Sequence, residues 1–284
     1  MNRIEELKYT LAMSSPAFRK LMDTVMPAML AGNPEQAEAL LKKDEPRAFA
    51  MSVSLASEYE LDAADLPADS VGVICLQGVI YGYHIAWLSR RLQEAAFNDR
   101  LCGVVLWINS PGGVVTGTDA VADVLAGFPK PVATYVAGSC ASAAYWLASC
   151  TGRRFLGSKL CEVGSIGVVM EYWDYSKYYE KMGIDFRMIY PDTADLKNTE
   201  YRSLAEGGDD QPLKEKLAKI HALFCQVVAQ HIGVPYDAQN PVYRGATFMG
   251  QEAIDAGLAD AFGTLQDAAA WVLAQSVQRR FKTL

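Results

Sequence analysis

Apolar positions along the chain follow two rhythms, and the change between them divides the sequence. Up to residue 50 the spacing is helical, with Ile4, Leu7 and Leu11, then Phe18, Leu21, Val25 and Leu30, three or four apart. Ser15-Pro16 offers an N-cap and a proline at the first helical position, and Asn33-Pro34 restarts a third helix toward Lys43. Residues 1–57 are therefore expected to form a helical N-terminal extension. From Glu58 to Asp69 come five acids, no base and Pro67, which predicts a solvated acidic linker over 58–69.

From Ser70 short apolar runs alternate with amphipathic stretches. Val71–Leu76 reads as a buried strand closed by Gln77-Gly78, and Tyr83–Asn98 as a helix with Trp87, Leu88 and Leu92 on one face. Gly103–Ile108 is a second strand, stopped by Asn109-Ser110-Pro111-Gly112-Gly113. A helix over Thr118–Gly127 and a strand over Pro131–Val136 follow. Gly138 is expected to turn the chain into a helix over Ala141–Ser149, with short strands at Phe155–Leu156 and Ser165–Val169. Strand and helix alternating at this spacing predict an α/β fold with a parallel sheet built from βαβ units. Pro212–Val228 is an amphipathic helix, Tyr243–Gly263 holds a short strand and a helix ending at Gly257, and 266–284 is a last helix with a basic tail.

Composition narrows the function classes. Of 284 residues, 51% are apolar and 21% charged, which excludes long disorder and rod-like folds. With 26 basic against 33 acidic side chains the net charge is −7, an unfavourable balance for nucleic acid or an anionic membrane. Pro131–Gly152 is uncharged and long enough to span a bilayer. Its serines, small residues and single leucine nevertheless read as a buried strand–turn–helix. Met1–Lys20 lacks the apolar core of a secretory signal, so a cytoplasmic location is expected. The six cysteines contain no C-x-x-C pair and the three histidines do not cluster. Reduced, structural thiols, no metal and no cofactor are expected.

In a parallel sheet, chemistry gathers at the carboxyl ends of strands. Asn109–Gly113 could aim backbone N–H groups at one point as an oxyanion or phosphate cradle, or be an ordinary turn. Gly138–Ala144 places Ser139, Cys140 and Ser142 among small residues at a helix start, as a nucleophile requires, although capping would also use a serine there. A base could be His84, His221 or His231, or a desolvated lysine such as Lys197. Spacing alone does not choose among them.

The segments INSPGG (Ile108–Gly113), CASAAYWLAS (Cys140–Ser149) and VGSIGVVM (Val163–Met170) make the choice. In this order, with GVICLQGVI (Gly72–Ile80) before them, they resemble the signal peptide peptidase A family over about residues 70–265. That family comprises serine–lysine peptidases of the ClpP/crotonase-like superfold, a βαβ superhelix with a parallel sheet. The resemblance implies Ser142 as nucleophile, Lys197 as general base, and Gly112 and Gly113 as the oxyanion hole. Ser165, in the G-S-I-G motif, is in addition inferred to be a neighbour that orients the lysine amine. Two positions depart from the family: Ala143 and Ala144 replace its usual glycines, and Trp107 its common arginine.

The helical extension and the lack of an anchor resemble the phage and prophage prohead-protease members. These are homo-oligomeric endopeptidases that process scaffold and capsid proteins during head maturation, in the host cytoplasm or the prohead. A soluble bacterial peptidase degrading signal or other peptides, a crotonase-like acyl-CoA enzyme and an inactive structural subunit are the alternatives.

Overall fold

The computed structural model describes residues 11–13, 31, 33, 36, 46–53, 57–60, 63, 65–172, 174–185 and 187–282. Its centre is a parallel trio: β4 (Ser70–Gln77), β5 (Leu101–Ser110) and β7 (Val132–Ala141), with β5 in the middle. Strands buried on both faces should read as continuous apolar runs, and β4 is buried from Ser70 through Leu76. The pleat sorts these side chains into two cores. Ile74, Leu76, Val104, Leu106 and Ile108 face α1 (Gly82–Phe97), α2 (Thr118–Ala126) and α3 (Ala143–Ser149). Val71, Val73, Cys75, Val105 and Ala133 face α7 (Leu265–Lys282) through Ala268, Ala269 and Val272. Each such Leu, Ile or Val contributes about 1.5–3 kcal/mol by leaving water. The fold is thus α/β with helices on both faces of a largely parallel sheet.

Beside β4 the sheet continues through β2 (Arg47–Ser52) and β3 (Ser57–Tyr59). This corrects the expected helical extension at 47–52 and the expected linker at 58–59. Arg47–Ser52 grows steadily more buried along its length. By pairing antiparallel with β4 it satisfies the backbone groups that an open edge would expose. Leu11–Met13 is likewise a strand, β1, not a helix. Asn33 Oδ1 does accept the Gln36 N–H at 3.1 Å, as an N-cap at Asn33-Pro34 predicts. The rest of the expected early helices lies outside the described residues.

On its other side β7 forks. Ala133–Val136 pairs with β8 (Arg153–Leu156), while Ser139–Ala141 pairs with β9 (Glu162–Gly164), itself bordered by β10 (Thr247–Met249). Gly138 is therefore inside a strand, not at a turn, and the helix begins at Ala143. The strand expected at Ser165–Val169 lies instead at Glu162–Gly164. A bulge bends β7 between these halves: Val136 faces Ile108 and Cys140 faces Ser110, so four steps on β7 match two on β5. Asn109 fills the gap, its Oδ1 accepting the Ser139 N–H at 3.1 Å. Among the described residues no helix is long and apolar enough to cross a membrane.

Candidate active site

The bend delivers Ser142 to the point where β7 becomes α3. Its backbone is held at φ 55°, ψ −122°, a conformation that costs a non-glycine residue about 1–3 kcal/mol. Three bonds fix it there. The Ser142 N–H donates to the Gly164 carbonyl at 2.8 Å, its carbonyl accepts from the Trp146 N–H at 2.9 Å, and its hydroxyl donates to the Gly167 carbonyl at 3.3 Å. A sharp strand-to-helix turn with a hydroxyl at its apex is what a nucleophile elbow needs.

The other two hydroxyl and thiol candidates lie within β7 itself. Cys140 is fully enclosed in β7, and burial pushes its thiol far above the ordinary range, away from the reactive thiolate. Ser139 lies in the bulge with its N–H on Asn109. Ser142, by contrast, is 1% exposed and stands at the apex.

Gly112 and Gly113 open β6 (Gly112–Val114), against which α3 packs. Gly112 has φ 102°, a value open to glycine. Its N–H donates to Ser110 Oγ at 3.1 Å, so that donor is already engaged. A Cβ on Gly113 would lie 1.8 Å from the Ile80 carbonyl oxygen, a close approach that excludes any side chain. The first N–H of α3, on Ala143, follows Ser142 and has no helical partner at that position.

Beyond Ser142 is a cleft of about 530 Å³ lined by Ser165, Gly167, His221, Tyr236, Tyr243 and Arg244, among others. Ser165, another positive-φ residue at 52°, is tied by its N–H to the Ala246 carbonyl at 2.8 Å. His221, on α6 (Gln211–Ile232), lies against the Cys225 thiol at 3.6 Å. His84 is buried in α1, its Nδ1 accepting the Tyr81 N–H at 3.0 Å, and His231 contacts the Val227 carbonyl at 2.8 Å, one turn back in its own helix.

Lys197 stands elsewhere. It follows a single turn of 3-10 helix (Asp192–Ala194), with its N–H on the Ala194 carbonyl, just before α5 (Thr199–Gly207). Its side chain is exposed, and among the described residues no hydrogen bond joins it to Ser142 or Ser165. The structure therefore brings Ser142, Ser165 and the Gly112–Gly113 turn to one end of the sheet, and leaves Lys197 on an arm beside it.

The model of peptidase family S49 matches residues 128–278, more than half of the chain, and takes in Ser142, Ser165 and Lys197. The chain belongs to peptidase family S49. A Clp protease model matches residues 72–158, the stretch from β4 to β8 that contains Gly112, Gly113 and Ser142, and this fixes the ClpP/crotonase-like fold. The resemblance read from the three glycine- and serine-rich segments is thereby borne out.

Among the relatives of this S49 member, "Capsid assembly protease C" of Escherichia phage lambda is 33% identical over 182 residues, 63% of this chain and 40% of that protein. "Head-tail preconnector protein GP5" of Enterobacteria phage P21 is 32% identical over 180 residues, 62% of this chain and 35% of that protein. A "Putative signal peptide peptidase SppA" of Enterococcus faecium is 26% identical over 170 residues, 58% of this chain and 48% of its own. The S49 chain thus spans well under half the length of the two phage proteins.

Proposed function

We propose that this chain is a serine endopeptidase that uses a Ser142–Lys197 dyad and processes the scaffold and capsid proteins of a phage head, within the host cytoplasm or the prohead. The observation that carries the reading is the strained, buried placement of Ser142 in a chain of an established peptidase family. The names of the lambda and P21 relatives support the phage role.

The chemistry follows from the atoms. Uncharged Lys197 takes the Ser142 proton, and Oγ attacks the peptide carbonyl. The oxyanion lies between the N–H of Gly113 and that of Ala143, with Gly112 shaping the turn. The amine then protonates the leaving nitrogen, and water, deprotonated by the same amine, releases the acyl group. Ser165 orients the amine from the cleft wall.

Lysine acts as a base only where water is excluded, and Lys197 is exposed in the single chain. The reading therefore includes assembly of copies that covers the arm over 169–201. That arm displays Ile189 at 92% exposure and Leu196 at 78%, beside Tyr178, Met182 and Met188, a surface suited to burial in an interface.

Intact-mass labelling with a fluorophosphonate probe between pH 6 and 9 tests the dyad. Wild type should gain one adduct, faster as pH rises, while Ser142→Ala should gain none and Lys197→Ala very little. A folded, assembled wild type that stays unlabelled would sink the peptidase reading.

A further inference from the structure

β1 lies along β6. It runs antiparallel, with Leu11 opposite Val114, Ala12 opposite Gly113 and Met13 opposite Gly112. Among the described residues these two strands form a sheet of their own beside the main one. Their bonding register can be read from the far side of β6. There the Ile80 N–H donates to the Gly112 carbonyl and the Val114 N–H to the Ile80 carbonyl, both at 2.8 Å. Bonding direction alternates along a strand, so Gly113 turns both of its groups toward β1. A pair of this kind exchanges two bonds: Gly113 N–H to the Ala12 carbonyl, and Ala12 N–H to the Gly113 carbonyl.

Direction adds a second point. The carboxyl end of β1 arrives at Gly112, close in sequence to Ser110, and Ser110 pairs with Cys140, two residues short of Ser142. A peptide laid along β6 in this sense runs toward the nucleophile, with one carbonyl on the Gly113 N–H.

We propose that residues 11–13 hold the β6 edge as the chain's own competitor for an extended peptide laid antiparallel along it, Ala12 standing where a substrate presents its carbonyl. This rests on the peptidase reading, which assigns the Gly113 N–H to the oxyanion. A three-residue strand in a two-stranded sheet is marginal by itself, so a peptide offering a longer ladder displaces it.

The test reads binding, in the full chain carrying Ser142→Ala, by anisotropy of a fluorescein-labelled peptide copying residues 8–17. Ala12→Pro in the chain removes the N–H given to Gly113 and should tighten peptide binding about tenfold. The same proline in the peptide should weaken binding by a similar factor. Leu11→Pro, whose N–H points away from β6, should change affinity by less than about twofold. In the chain without either proline, excess peptide should speed hydrogen exchange at the Ala12 amide, a readout independent of how the variants fold.

Equal peptide affinity with and without Ala12→Pro overturns the proposal. So does an effect of Leu11→Pro as large as that of Ala12→Pro, or an Ala12 amide indifferent to peptide. Because every arm lacks Ser142, failure of the labelling experiment leaves these results readable.

Discussion

Ser142 and the arm that carries Lys197 are built in opposite ways. Ser142 links a strand paired along both edges to α3, in which every residue is buried. Before Lys197, α4 (Ser176–Lys181) buries none of its side chains; after it, α5 buries none either, and large apolar groups between them face outward. The first region has its geometry imposed by the core and can hold a residue in a conformation it would not choose. The second has too little packing of its own to set where an amine sits. The proposed dyad would be divided between two such regions, its geometry left to whatever covers the arm.

The largest expected effects separate the two halves of that dyad. Ser142→Ala should lower peptide hydrolysis by about 10⁴-fold or more, because nothing replaces the attacking oxygen. Lys197→Ala should cost about 10²–10⁴-fold, the range of a lost general base. As an exposed substitution it should leave the thermal midpoint nearly unmoved. Kinetics beside a melting curve check both. A Lys197→Ala enzyme that keeps its rate would move the base elsewhere and abolish the contrast, with His221 on the cleft wall next to be tested.

The same contrast explains what could be read from the sequence. Around Ser142 each signal was local: apolar runs for β4 and β5, glycines after Pro111, small residues before α3. The family resemblance then picked out the serine. What escaped depended on partners distant in sequence. Arg47–Ser52 carries no strong strand pattern, and it is a strand because β4 offers an open edge. Gly138 looks like a turn, but a strand passes through it because Asn109, on β5, supplies the bond the bulge needs. The strain at Ser165 and the placement of β1 depend on Ala246 and Gly113 respectively, which no local window contains.

A smaller effect measures how firmly the ordered region is held. Arg154, 7% exposed, meets Asp260 at 3.0 Å, and the Arg154 N–H donates to the same carboxylate at 2.7 Å. Asp260→Ala strands a buried guanidinium and should cost about 2–3 kcal/mol, allowing for the partial exposure of the acid. Breaking the solvent-facing pair between Glu200 of the arm and Lys216 of α6, at 3.4 Å, should leave the melting midpoint where it was. Equal losses from the two would mean that the arm is packed after all. Smaller again is Ser142→Gly, which should be more stable than Ser142→Ala by about 1 kcal/mol, since glycine accepts a φ of 55° without strain. Identical denaturant midpoints for the two would remove the evidence that the elbow is strained.

A last effect comes from alkali and concerns the buried thiols. Burial pushes the thiols of Cys102, Cys150 and Cys225 up to about 11 from the 9.0 of an exposed thiol. Unfolded, these groups ionise from about pH 9; folded, only near 11. Between those values the folded chain holds protons that the unfolded chain has lost, so stability present below pH 9 declines as pH rises toward 11. The arm contains no cysteine between residues 169 and 208, and so shares none of this dependence. Melting at pH 8 and pH 10 should show a lower midpoint at the higher pH, and replacing Cys225 by alanine should shrink the difference. A difference that survives in the variants lacking these thiols one by one would place the alkaline sensitivity outside the core, and with it the sharpest electrostatic distinction between the two regions.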